Sequence, residues 1–251
     1  MAQQKGIIKL TGTIGDISFF KSADGYLARE KGGVEADKIA KDPAFQRTRE
    51  NGAEFGRAGK AAKLLRSSFQ QLLQNSTDRL SISRLVRLMM TVIKADLTSQ
   101  RGLRNVIDGE AELLEKFEFN EAAKLNSSLF ASYVPAIDRV TGKLSISLPP
   151  FVPGRLLVAP PGATHFRIIS GGASVDFEAN KFVSDVKTSD ILVIGNDPTA
   201  VIDLVNEVDP NSTSPLFLAL GIEFYQMVNG NNYPLKNGAF NPMAIVKVAT
   251  P

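Results

Sequence analysis

The chain of 251 residues contains no cysteine, no tryptophan and a single histidine. Without thiols there is no disulfide, no thiolate nucleophile and no zinc–thiolate site. One imidazole is too few for the usual histidine-rich metal centres. A nucleophile–base–acid apparatus would have to be built around His165 alone. No run approaches the roughly 20 apolar residues that a spanning helix needs. The opening stretch, MAQQKGIIKLTGTIG, has neither the apolar core of roughly 7–15 residues nor the small-residue cleavage site of a secretory signal. The expectation is a protein made in the cytoplasm, with no membrane partner.

What is present is a globular composition, 43% hydrophobic and 22% charged, in a length that suits one large domain or two ordinary ones. The net charge of +3 conceals a strong asymmetry. Residues 41–105 carry 13 basic and five acidic side chains, whereas 106–142 carry three basic and seven acidic. Any polyanion or acidic partner would be drawn to the middle of the chain.

The hydrophobic period changes twice. Residues 5–31 alternate, with Asp24-Gly25 as a turn dipeptide, and predict a β-hairpin or three-stranded meander that must pack on something. From Asp42-Pro43, an N-cap and first-turn pair, Phe55, Ala58, Ala62, Leu65, Phe69, Leu72 and Leu73 recur at helical spacing. Gly52, Gly56 and Gly59 weaken that helix by roughly 1 kcal/mol each relative to alanine, or admit another backbone. A second helix, SISRLVRLMMTVIKADL, places Leu85, Leu88, Met89 and Val92 on one face. After about residue 118 the chain reads as β. Candidate strands are SLFASYV, KLSISL, RLLVA, THFRIIS, ASVDFE, KFVSDVK, ILVIG, LFLALGIEFYQMV and MAIVKVA, with turn signals including GG and KNG. The predicted class is α+β, with an N-terminal hairpin and helical hairpin in 1–118 and an antiparallel immunoglobulin-like β-sandwich in 119–251.

GTIGDISFFKSADGYLAREK, RTRENGAEFGRAGKAAKLLR, GATHFRI and the terminal AIVKV together resemble an uncharacterised bacterial family. The resemblance covers most of the chain and implies the same order of hairpin, basic helices and immunoglobulin-like half. It implies no activity.

Motifs that carry chemistry are weak throughout. His165 reads as a strand residue beside the PPG turn. Ser18 and Lys21 fit the SxxK spacing, but on a strand they face opposite sides. EFGRAGKAA lacks the first glycine and the hydroxyl of a phosphate loop. Glu112, Glu115, Glu118 and Glu121 read as a solvated helical edge rather than cation ligands. No catalytic residue, cofactor, metal or small-molecule substrate is expected.

Two surfaces remain. Ile14, Ile17, Phe19, Phe20, Tyr26 and Leu27 give the hairpin an aromatic on each face, which suits a segment held between two bodies. The leading expectation is therefore a non-enzymatic structural protein that self-assembles into an oligomer or filament by adding strands to a neighbour. A plain monomer is the competing expectation. The alternative function is nucleic-acid binding through Arg47, Arg49, Arg57, Lys60, Lys63 and Arg66, against which stand the absence of interleaved aromatics and the interruptions Glu50 and Glu54.

Overall fold

The computed structural model describes residues 1–251 except Lys31, Thr77 and 236–239. The chain divides into two compact units, Met1–Arg49 and Glu50–Pro251; the boundary read from the sequence lies at 118.

In the first unit, strands β1 (Ala2–Gln3), β2 (Gly12–Ile14), β3 (Ile17–Ser22) and β4 (Gly25–Glu30) form an antiparallel sheet in the order β1-β4-β3-β2. Helix α1 (Ala36–Lys41) follows. A 3-10 turn, Pro43–Phe45, then leads into helix α2 (Gln46–Ser68), with the Asp42 carboxylate accepting from the Ala44 amide at 2.9 Å.

The second unit is a layered α+β body. After α2 come helices α3 (Gln70–Leu73) and α4 (Ser81–Lys94), a 3-10 turn at Ala111–Leu114 and helix α5 (Leu125–Ser128). The strands are β5 (Val134–Asp138), β6 (Lys143–Leu148), β7 (His165–Asp176), β8 (Lys181–Thr188), β9 (Leu192–Val193), β10 (Ile202–Glu207), β11 (Leu216–Val228), β12 (Asn231–Pro234) and β13 (Met243–Ala249), with helix α6 (Pro153–Leu156) before β7. Six of them form a curled antiparallel sheet with β12-β11-β7-β8 as its spine, β13 paired to β11 and β9 to β7; β10-β6-β5 form a smaller sheet.

Strand periodicity distributes the core. Leu216, Leu218, Leu220, Ile222 and Phe224 of β11 join Leu144, Ile146, Leu148 and Leu204 of the smaller sheet in one apolar cluster. Phe217 and Ala219, on the opposite face, join Leu65, Phe69, Leu72, Leu85, Met89 and Val92 of the helices in another. The central strands are thus buried on both faces, and β11 reads as a continuous apolar run for that reason.

Several strand expectations are corrected. THFRIIS and ASVDFE are one strand, β7, running through Gly171-Gly172, which is not a turn. A Cβ on Gly171 would stand 3.0 Å from Leu72 Cδ1, and one on Gly172 would stand 2.7 Å from Asn206 Cβ. The pair lets helices close on one face and the smaller sheet on the other, which is a packing role. RLLVA contributes to a helical turn and SLFASYV to α5 and an isolated bridge, Leu129 to Leu157. Strand β10 was not anticipated, although Ile202, Leu204 and Asn206 alternate inward along it. The KNG turn signal lies outside the described residues. Phe55, placed by period with the core, is 61% exposed.

Candidate functional site

The N-terminal sheet is built by its turns. Ile14 pairs with Ile17 across Gly15-Asp16, with Gly15 at φ 55°, and a glycine first in a two-residue loop matches strand twist. Ser22 pairs with Gly25 across Ala23-Asp24. Gly25 carries the positive φ, 105°, and the Ser22 hydroxyl accepts from the Asp24 amide at 3.1 Å.

Register assigns the side chains to faces. Phe20 lies opposite Leu27, while Phe19 lies opposite Ala28 and Lys21 opposite Tyr26. Ile14, Ile17, Phe19 and Tyr26 therefore share one face, and Phe20 and Leu27 the other. Lys21 and Arg29 sit over the Tyr26 and Phe20 rings at 5.5 and 5.4 Å. No described residue of Met1–Arg49 is buried. Phe19, Phe20, Tyr26 and Leu27 are half-buried, and Ile7, Ile8, Leu10, Ile14, Ile17 and Val34 are exposed.

The basic residues are dispersed. Arg49 donates to the Ile39 and Asp42 carbonyls at 2.6 and 2.9 Å. Arg57 donates to the Arg104 carbonyl at 2.8 Å and to that of Gly102. Arg47 is exposed. Arg57, Lys60 and Lys63 line one groove and Arg66 another hollow. Glu50 and Glu54, read as interruptions, face the loop after α4. Glu54, only 2% exposed, accepts from the Gly102 amide at 2.8 Å, and Glu50 pairs with Arg101 at 3.7 Å.

The buried polar groups escaped the sequence reading. Asp96 is fully buried and accepts from the Thr98, Ser99 and Asn105 amides and the Thr98 hydroxyl, at 2.9–3.1 Å. Burial opposes its ionisation, but the donors of Ser99, Asn105 and Thr98 outweigh it and hold the carboxyl well below the usual range. On β11, Glu223 receives Arg167 Nη2 at 2.6 Å and Nε at 2.7 Å, the Tyr225 hydroxyl at 2.8 Å and the Asn75 amide at 3.2 Å. Burial and the Glu223 carboxylate raise the Tyr225 phenol, keeping it neutral. Their only sequence signal is an acid inside an apolar run.

The glutamate series is also corrected. Only Ala111–Leu114 is helical there. Glu115 accepts from the Val248 amide at 2.9 Å, and Glu121 pairs with Arg84 and Lys124. Glu118 takes the Leu125 amide on both oxygens at 3.1 Å. Glu115 and Glu118 thus accept from neighbouring backbone, while Glu112 and Glu121 stay exposed and bond side chains, so the four do not form one helical edge.

Burial pushes the Glu118 carboxyl up to about 7, against the pull of the Leu125 amide and Lys124. A raised acid holds its proton in the folded state after the unfolded chain has released it. Stability is therefore fully present below about 4.5 and falls as pH rises towards 7. Glu118→Gln is expected to remove that loss, a gain on the order of 1 kcal/mol at alkaline pH after solvent screening. Urea midpoints of both proteins at acid and mildly alkaline pH check it. An unchanged difference between them would contradict the assignment.

His165 opens β7, is 8% exposed and places Nδ1 2.9 Å from the Thr164 hydroxyl. Among the described residues no three histidine or acidic side chains are grouped to hold a metal, and no helix is long and apolar enough to cross a membrane. No protein-family model, curated protein or solved structure matches the chain. What the fold defines is an α+β protein with an N-terminal sheet, central helices and a curled antiparallel sheet.

Proposed function

We propose that this is a non-enzymatic structural protein that self-assembles, with the N-terminal sheet as its contact element. The observation that carries the reading is a four-stranded sheet with apolar side chains on both faces and no buried residue. Apolar burial contributes roughly 25 cal/mol per Å², and a small sheet is stable when it has a hydrophobic face to bury or a helix to pack against; this one buries neither face. A second copy meets that need on two faces at once. Repeated head to tail, the contact closes into a ring or extends as a filament. The facing antiparallel sheets of residues 119–251 favour the immunoglobulin-like reading of that half, whose strands β8 and β5 end their sheets and offer edges for strand addition.

Size-exclusion chromatography with light scattering tests it. The full chain is expected to run as a species heavier than its 27.1 kDa mass. Phe19→Lys and Phe20→Lys, one on each face, should each return it to monomer with an unchanged circular dichroism spectrum, because neither side chain is in a core. Deleting residues 1–33 should do the same. A single 27.1 kDa species at high concentration, or assembly that persists in the deleted chain, would refute the reading.

A further inference from the structure

The groove between α2 and the β7–β8 turn has a volume of about 730 Å³, within the range of roughly 300–1,000 Å³ typical of ligand clefts. One wall is cationic. Lys60 and Lys63 are exposed and form no ion pair among the described residues. Arg57 gives its N–H groups to the Gly102 and Arg104 carbonyls. Those bonds fix the guanidinium in place and cancel none of its charge. A single acid, Glu178, lines the groove against these three cations.

The opposite wall is aromatic. Phe182 is 41% exposed, and Phe177 stands beside it, held edge-on to Phe217 with centroids 6.1 Å apart. The turn that presents them is braced. Asp176 Oδ1 accepts from the Glu178 and Ala179 amides, both at 2.9 Å, and Asn180 takes φ 55°. The aromatic partner missing from the basic helix is thus supplied by a distant part of the chain.

We infer that this groove binds single-stranded nucleic acid, with Lys60, Lys63 and Arg57 along the phosphates and Phe182 stacked on a base. A cationic track beside an aromatic platform is the arrangement that holds single strands without reading sequence. A duplex keeps its bases stacked inside and offers Phe182 nothing. An acidic protein surface would match the lysines and leave the ring unused. The inference does not rest on the assembly reading.

Fluorescence anisotropy of the full-length protein with a labelled oligo-dT, and with the matching oligo-U, tests it across a salt series. Binding at low salt should weaken as salt rises. Lys60→Gln/Lys63→Gln should lower affinity more than tenfold and flatten the log–log salt slope by about 1.4, at roughly 0.7 per lost phosphate contact. Phe182→Ala should lower affinity by about 5- to 150-fold with the slope unchanged, the fold-change that about 1–3 kcal/mol of stacking gives. Arg87→Gln/Lys94→Gln, outside the groove, should leave affinity as it is. Preference for oligo-U over oligo-dT would assign the groove to RNA, and equal binding to single strands in general. No binding at low salt, wild-type affinity in Phe182→Ala, or equally tight binding of duplex or polyglutamate would overturn the inference.

Discussion

Arg167→Ala is expected to destabilise the protein by about 3 kcal/mol. Glu223 is 7% exposed and its Oε2 takes both Arg167 nitrogens. Removing one partner leaves a carboxylate inside the sheet without its countercharge, and breaking a buried pair in this way typically costs about 3–5 kcal/mol. The lower end applies because Arg167 keeps 32% of its side chain in solvent. The Tyr225 hydroxyl and Asn75 amide still donate, but neither carries a charge. Adding Glu223→Gln should recover part of the loss, since the neutral side chain leaves no buried charge unpaired and its one carbonyl oxygen still accepts from the Tyr225 hydroxyl. A double-mutant cycle by urea unfolding measures the coupling. A loss below about 1 kcal/mol, or strictly additive effects, would show that the pair does not hold β7 to β11.

Leu65→Ala should cost about 2–5 kcal/mol, as do other leucines truncated in cores that relax only partly. Leu65 is fully buried, in one cluster with Phe69, Leu72, Met89 and Phe217. Against typical domain stabilities of about 5–15 kcal/mol, that is a substantial fraction of the total. Phe55→Ala is the matched control. Phe55 is the larger side chain and has the same helical period, yet it is 61% exposed, and its removal should change stability by no more than about 0.5 kcal/mol. Equal losses at the two positions, measured by thermal or urea unfolding, would mean that the face of α2 has been misassigned.

Both cases mark where periodicity stops being informative. The spacing of Ala58, Ala62 and Leu65 identifies α2 and its buried face, Phe69 and Leu72 carry the pattern on into α3, and all five are buried. Phe55 extends the pattern by one turn, where no neighbouring layer covers it. Gly52, Gly56 and Gly59 lie in the same exposed half. A Cβ on any of them would meet nothing within 4 Å. Among the described residues no close backbone approach explains them, and the structure gives them no role. Gly171-Gly172 shows the converse. A glycine pair reads as a turn from sequence, yet here it runs through a central strand because two layers converge on it.

The candidate surfaces divide in the same manner. That Phe19 and Phe20 point to opposite faces follows from the two-residue period of a strand, and the register agrees. That no described residue of the unit holding them is buried could not be read, because alternation predicts a buried face without naming what covers it. The charge excess of residues 41–105 was countable. Its separation into Arg49 and Arg57 bonded to backbone carbonyls, Lys60 and Lys63 facing an aromatic wall, and Arg66 elsewhere required the loops and the β7–β8 turn to be in place.

By itself the sequence determined the local elements: the alternating N-terminal strands, the two long helices, the buried β11 and the absence of thiol chemistry. These follow from short-range sterics, the polar–apolar period and composition, which act over a few neighbouring residues. Only the tertiary structure decided that Glu54, Asp96 and Glu223 are enclosed and partnered, and that Phe182 comes to stand across from Lys60 and Lys63. Those arrangements depend on contacts between residues far apart in the chain, where burial of a charge is tolerable only once its donors have been brought to it.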